Sequence, residues 1–158
     1  MKYSIFDIAR YIIESNGIVS HKKLQKLCYY VYSWYIYLYN ESEDYIKNRL
    51  FCNDFEAWVH GPVSVSLYKR LKPKRNIFEI NVGDLGKRTR EIENTEITRF
   101  IDSVLKVYFE YSAEALESIS HQESPWLNQR KGLGVWENSN NRISDQDIFR
   151  EYAQRQKN

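Results

Sequence analysis

Apolar and polar positions alternate along this chain with a helical period far more often than with a strand period. Ser4 and Asp7 form an S-x-x-D capping box, and Ile5, Ile8, Ala9, Ile12 and Ile13 follow on one helical face. Gly17 stands in the C-cap position, and Ser20 is the next N-cap, opening a long helix from His21 to about Tyr39. The loop between them is short, so the two helices are expected to pack as a hairpin. Asn40 to Asn53 reads as a loop with a short extended piece, and "FCNDFEAW" as a brief strand or an extended entry segment. Pro62 suits the first position of a helix, with Val63, Leu67 and Leu71 on its apolar stripe and an end before Pro73. "NIFEINVGDLGK" predicts a short strand and a turn. Further helices open at Asn94 or Thr95, at Ser112, at Ser124-Pro125 and at the Ser144/Asp147 box, with a loop over Gly132–Asn141. The expected fold is mainly α: one compact helical domain over residues 1–158, with a central long helix and a little extended structure.

The long helix carries the least ordinary pattern. Leu24, Leu27, Cys28, Val31, Trp34, Tyr35 and Leu38 make one broad apolar face. The other side holds Lys22, Lys26, Tyr29, Tyr30, Ser33, Ile36 and Tyr37, with no charge after Lys26. Either the helix is buried on both sides, or Tyr29, Tyr30 and Tyr37 belong to a partner surface, where tyrosine is favoured.

Composition narrows the function. The chain has 158 residues, 42% of them apolar and 28% charged, which suits an ordinary globular protein. Aromatics are in surplus at 15%, with 13 tyrosines and 4 tryptophans. A net charge of +2 implies no general attraction to nucleic acid or membrane, although residues 1–75 hold 12 basic and 7 acidic side chains. No apolar run approaches the roughly 20 residues that cross a bilayer, and the N-terminus lacks the apolar core of a signal peptide. Two scattered cysteines, Cys28 and Cys52, indicate neither a disulfide framework nor a zinc site, and a reduced, cytoplasmic setting is expected.

The search for chemistry returns little. His21, His60 and His121 have no other His or Cys within five residues, so no metal or other cofactor is expected. "FEAWVHGPVSVSLYKRL", Phe55 to Leu71, sets His60 near Ser64 and Ser66, but without a G-x-S-x-G elbow. A small enzyme using His60 with Ser64 or Glu56 is the weakest reading. The run Lys69–Arg75 places five positive charges in seven residues. With the N-terminal helix pair, it offers an alternative role as a nucleic-acid-binding regulator, although such charge also complements a helix C-terminus.

Three segments together resemble a known family. "KLQKLCYYVYSWYIYLYN", "FEAWVHGPVSVSLYKRLK" and "SHQESPWLNQR" are similar, in this order, to the motifs of the Panacea domain, and "ISDQDIFREYAQ" to its closing helix. The matching positions are Glu56, Trp58, His60, Gly61, Pro62 and Tyr68, with His121, Pro125 and Trp126. Cys28 and Ser33 depart from the pattern's Leu and Gly, and Ile77–Glu93 matches none of it. The resemblance implies a non-enzymatic antitoxin, bacterial or phage-associated, that neutralises a cognate protein toxin by direct contact. It also implies, for at least one type, an adaptor role that delivers the toxin to an ATP-dependent protease. Each matching residue has a structural role open to it: Trp58 as a buried anchor, Gly61-Pro62 as a turn into a helix, His121 and Trp126 packed near His60.

Overall fold

The computed structural model describes residues 3–74, 79–88 and 90–157. Among them are seven α-helices: α1 (Ile5–Asn16), α2 (His21–Leu38), α3 (Val65–Leu71), α4 (Thr95–Tyr108), α5 (Ala113–Ser120), α6 (Ser124–Asn128) and α7 (Asp145–Lys157). One antiparallel sheet pairs β1 (Phe55–Trp58) with β2 (Gly61–Ser64). The architecture is mainly α, with α2 at its centre.

Local chemistry sets most helix starts. The Ser4 hydroxyl accepts from Asp7 N while the Asp7 carboxylate accepts from Ser4 N, closing the first capping box. Ser20, Asn94, Ser112 and Ser144 each accept a hydrogen bond from a backbone N–H in the first turn that follows. The loop after α2 is tied to its end by Asn40, whose Oδ1 accepts from Lys47 N and Asn48 N. No strand forms over residues 40–53, where a short extended piece is expected from the sequence. In the segment Asn76–Lys87, residues 76–78 lie outside the described residues. Beyond them, Ile80 makes a single bridge to Val19, and Val82–Leu85 forms a 3₁₀ turn.

One cluster of buried side chains draws on all seven helices and on β1. Helix α2 is covered on nearly every side. Leu24, Leu27, Cys28 and Val31 are buried on one face, and Lys26, Tyr29, Tyr30, Ser33 and Ile36 on the other. Tyr29 meets Phe55 edge-on, and Tyr30 stacks on Tyr108 with centroids 4.3 Å apart. Tyr29 and Tyr30 are therefore core residues and not a partner surface. The tyrosine-rich back of the helix is uncharged because α4, α7 and the sheet lie against the helix. Tyr37 is half-buried against Phe149. Leu38, assigned by periodicity to the core face, is exposed at the end of the helix.

Pro62 corrects the expected helix start. It lies in β2, opposite Ala57, and the helix begins three residues later, with Ser64 as its N-cap. The backbone of Ala57 points away from β2, donating to Asn141 O and accepting from Arg130. Ala57–Pro62 is thus a pair that exchanges no ladder hydrogen bonds, so the missing N–H of proline costs nothing there. Helix α3 ends at Leu71, where the chain tightens into a 3₁₀ turn over Lys72–Lys74.

Candidate functional site

The resembling residues converge on the hairpin and on the N-terminal half of α2. Gly61 takes φ +102°, and a Cβ there would lie 2.8 Å from Lys26 Cε and 2.9 Å from Ser120 Oγ. Only glycine allows both the turn and this close approach. Behind it, Lys26 is 1% exposed and donates from Nζ to Pro62 O at 3.1 Å. Burial pulls the Lys26 ammonium down to about 7, partly offset by the Glu117 carboxylate.

Gln25 closes the free edge of β2. Its Oε1 accepts from Ser64 N at 2.8 Å, and its Nε2 donates to Ser64 O at 3.2 Å. The same Nε2 lies 3.2 Å from His21 Nε2, so that nitrogen of His21 is the acceptor. His21 is held neutral, its pKa lowered to about 4 by burial and then by the Lys26 charge. Ser64 is fully buried: its hydroxyl donates to Asp54 at 2.6 Å and caps α3. These bonds give Ser64 a structural job in place of the nucleophile considered from sequence.

Two motifs meet through their aromatic residues. Trp126 Nε1 donates to Trp58 O at 2.8 Å, and His121 stacks on Trp126 with centroids 4.0 Å apart. Pro125 and Trp126 are buried in α6. Trp126 is thus the anchoring ring, whereas Trp58, expected in that role, is half-buried. Trp58 donates to Glu56 Oε1 at 2.8 Å and stands edge-on to Tyr68 at 4.7 Å. Burial and the neighbouring Lys26 and His60 charges lower the His121 pKa against the opposing pull of Glu117.

His60 projects outward, its side chain 61% exposed, with Nδ1 3.3 Å from Glu117 Oε1. Lys22 Nζ reaches the same carboxylate at 2.6 Å. Partial burial alone raises the Glu117 pKa, but Lys22 and His60 outweigh it and hold the carboxyl below its usual range. Between α2 and the hairpin lies a groove of about 220 Å³, lined by His21, Lys22, Lys26, Trp58, His60 and Tyr68 among others.

The basic run is only partly available. Arg70, itself exposed, stacks over Phe6 at 4.1 Å and donates to Leu85 O. Lys69 and Lys72 are exposed, while Arg75 and the side chain of Lys74 lie outside the described residues. Among the described residues, no group of three or more His, Cys, Asp and Glu side chains is placed to hold a metal ion. Nor is any described helix long and apolar enough to cross a membrane.

Gln25, Glu117, Arg130 and Trp136 escaped the sequence reading. Arg130 is buried, with its guanidinium over the Trp126 ring, and donates to the carbonyls of Ala57, Gly134 and Glu137. Trp136 stands exposed beside His60, with ring centroids 6.1 Å apart. The remaining predicted residues, Tyr29, Tyr30 and Tyr37, are not among the residues that line this groove.

A sequence model of the family described as "Antitoxin SocA-like, Panacea domain" matches residues 24–127. The chain belongs to this family, and the match supports an antitoxin-type role. The matched span runs from α2 into α6, and so contains the hairpin, His60, Glu117 and Trp126 but neither Trp136 nor α7. No curated protein and no solved structure gives a match.

Proposed function

We propose that this protein is the antitoxin of a toxin–antitoxin pair and neutralises a cognate protein toxin by direct contact, the whole chain acting as one unit. The family match over residues 24–127 carries this reading. The structure supports it through the use it makes of the family's residues. Gly61, Pro62, Pro125 and Trp126 build a braced scaffold. His60 and its aromatic neighbours are left at an accessible edge. A fixed scaffold with exposed rings suits recognition of another protein, because aromatic anchors dominate interface energies.

Delivery of the toxin to an ATP-dependent protease is a second, compatible step of the same proposal. The site of action is the cytoplasm, where buried Cys28 and exposed Cys52 stay as thiols. Co-expression with the adjacent open reading frame tests the reading. Growth arrest by that gene alone, relieved by this chain together with a co-purifying complex, is the expected result. A harmless neighbour, or one that forms no complex, contradicts it. The same rescue in a strain lacking the protease separates direct neutralisation from delivery.

A further inference from the structure

The groove between α2 and the hairpin has walls of rings. Trp58 and Tyr68 meet edge-on at 4.7 Å, and His21 lies 5.6 Å from Tyr68. Its lining includes four nitrogen bases, His21, Lys22, Lys26 and His60, and no carboxylate. Two acids stand just outside, and both are engaged: Glu117 by Lys22 and His60, and Glu56 by Trp58 Nε1. Of the four bases, His21 is neutral and Lys26 is buried, so Lys22 and His60 are the basic side chains a partner can reach.

Trp136, beside His60, and its chain neighbour Val135 are each 78% exposed. Their loop is held in place. Arg130 bonds the carbonyls on both sides of them, at Gly134 and Glu137, and the Gln129 carbonyl takes Ser139 Oγ and Asn141 Nδ2. A tryptophan presented on a fixed loop loses little conformational freedom when covered, which favours its use as a binding anchor.

We infer that this groove and the Val135–Trp136 ledge form the docking surface for the toxin. The segment received there presents a bulky apolar side chain to the Trp58–Tyr68 wall and an Asp or Glu beside it to Lys22 and His60. This inference rests on the antitoxin reading and deepens it by naming the surface and the chemistry of the segment. The balance of apolar wall and only two reachable basic side chains favours a protein segment over a nucleic acid, which depends on many phosphate contacts.

Calorimetric titration of the purified toxin, encoded beside this chain, tests the inference with variants at exposed positions. Trp136→Ala and His60→Glu are expected to raise Kd by about ten-fold or more with unchanged circular dichroism, and Trp136→Ala with an unchanged melting temperature as well. Val135→Ser is expected to weaken binding in the same direction, and Leu38→Ser, in a separate apolar groove between α2 and α4, to stay within about two-fold. Wild-type binding that survives undiminished in Trp136→Ala and His60→Glu overturns the surface and leaves the antitoxin reading standing. Absence of any wild-type binding overturns both. Loss of duplex-DNA binding in His60→Glu, with toxin binding intact, makes the groove a nucleic-acid site and also overturns the inference.

Discussion

Gln25, on the central helix, bonds both backbone groups of Ser64, accepting from its N–H at 2.8 Å and donating to its C=O at 3.2 Å. A side-chain amide thereby takes the place of a third strand on the open edge of a two-stranded sheet. The other edge is met by Asn141–Ile143, which bonds the backbone of Phe55 and Ala57. The hairpin that carries His60 is therefore secured on both sides.

Gln25→Ala should leave the buried Ser64 N–H and C=O without partners, at about 1–3 kcal/mol for each lost bond. Gln25→Glu keeps the acceptor but sets a buried carboxyl against the Ser64 carbonyl, and should cost at least as much as alanine. Urea denaturation monitored by tryptophan fluorescence checks the order.

Gly61→Ala should destabilise by about 1–3 kcal/mol, since alanine is strained at positive φ. The added carbon also drives into Lys26 and Ser120. A lowered melting temperature with lost toxin binding is expected. An unchanged melting temperature would contradict the tight approach of the turn to α2.

Lys26 predicts a specific pH dependence. Its folded pKa, about 7, lies below the roughly 10.4 of an unfolded lysine. Between these values the unfolded chain binds more protons, so stability rises with pH from about 7 to about 10. Below that window the buried charge opposes folding throughout. Lys26→Met should remove this rise, and denaturation midpoints of the two proteins across the window measure the difference.

Glu123 is buried and accepts from Tyr30, Tyr152 and Arg155, the last two on α7. Burial raises its pKa, and Arg155 opposes the rise. Arg155→Ala should cost about 1–3 kcal/mol, less than a fully buried pair because Arg155 is partly exposed. Without Arg155 the folded pKa of Glu123 rises further. The deficit should then be small at acid pH and grow as pH climbs through the carboxylate range.

Capping residues made the helices legible, because a cap acts within three or four residues. Ser4, Ser20, Asn94 and Ser112 all start helices where their spacing indicated. Gly61-Pro62 misled because proline suits both a helix start and a strand position that needs no N–H, and only the pairing with Ala57 separates the two. The site was less legible than the fold. Trp58, His60 and Tyr68 stood out by type, but the partners that position their surroundings come from distant segments. Gln25 reaches Ser64, Lys26 reaches Pro62, and Arg130 reaches Ala57. A lysine at the edge of an uncharged helix face gave no sign that it would be buried. Trp136 lay in a loop with no periodicity, and its position is fixed by side-chain bonds from Arg130 and to the Gln129 carbonyl that no local spacing signals.

The most direct test of the central claim mixes the purified chain with its purified toxin, free of protease and nucleic acid, and follows the toxin's own activity. Neutralisation by direct contact predicts that inhibition grows with added chain and completes at a fixed molar ratio, together with a complex on gel filtration. A toxin that stays fully active at excess chain, with no complex formed, would contradict it.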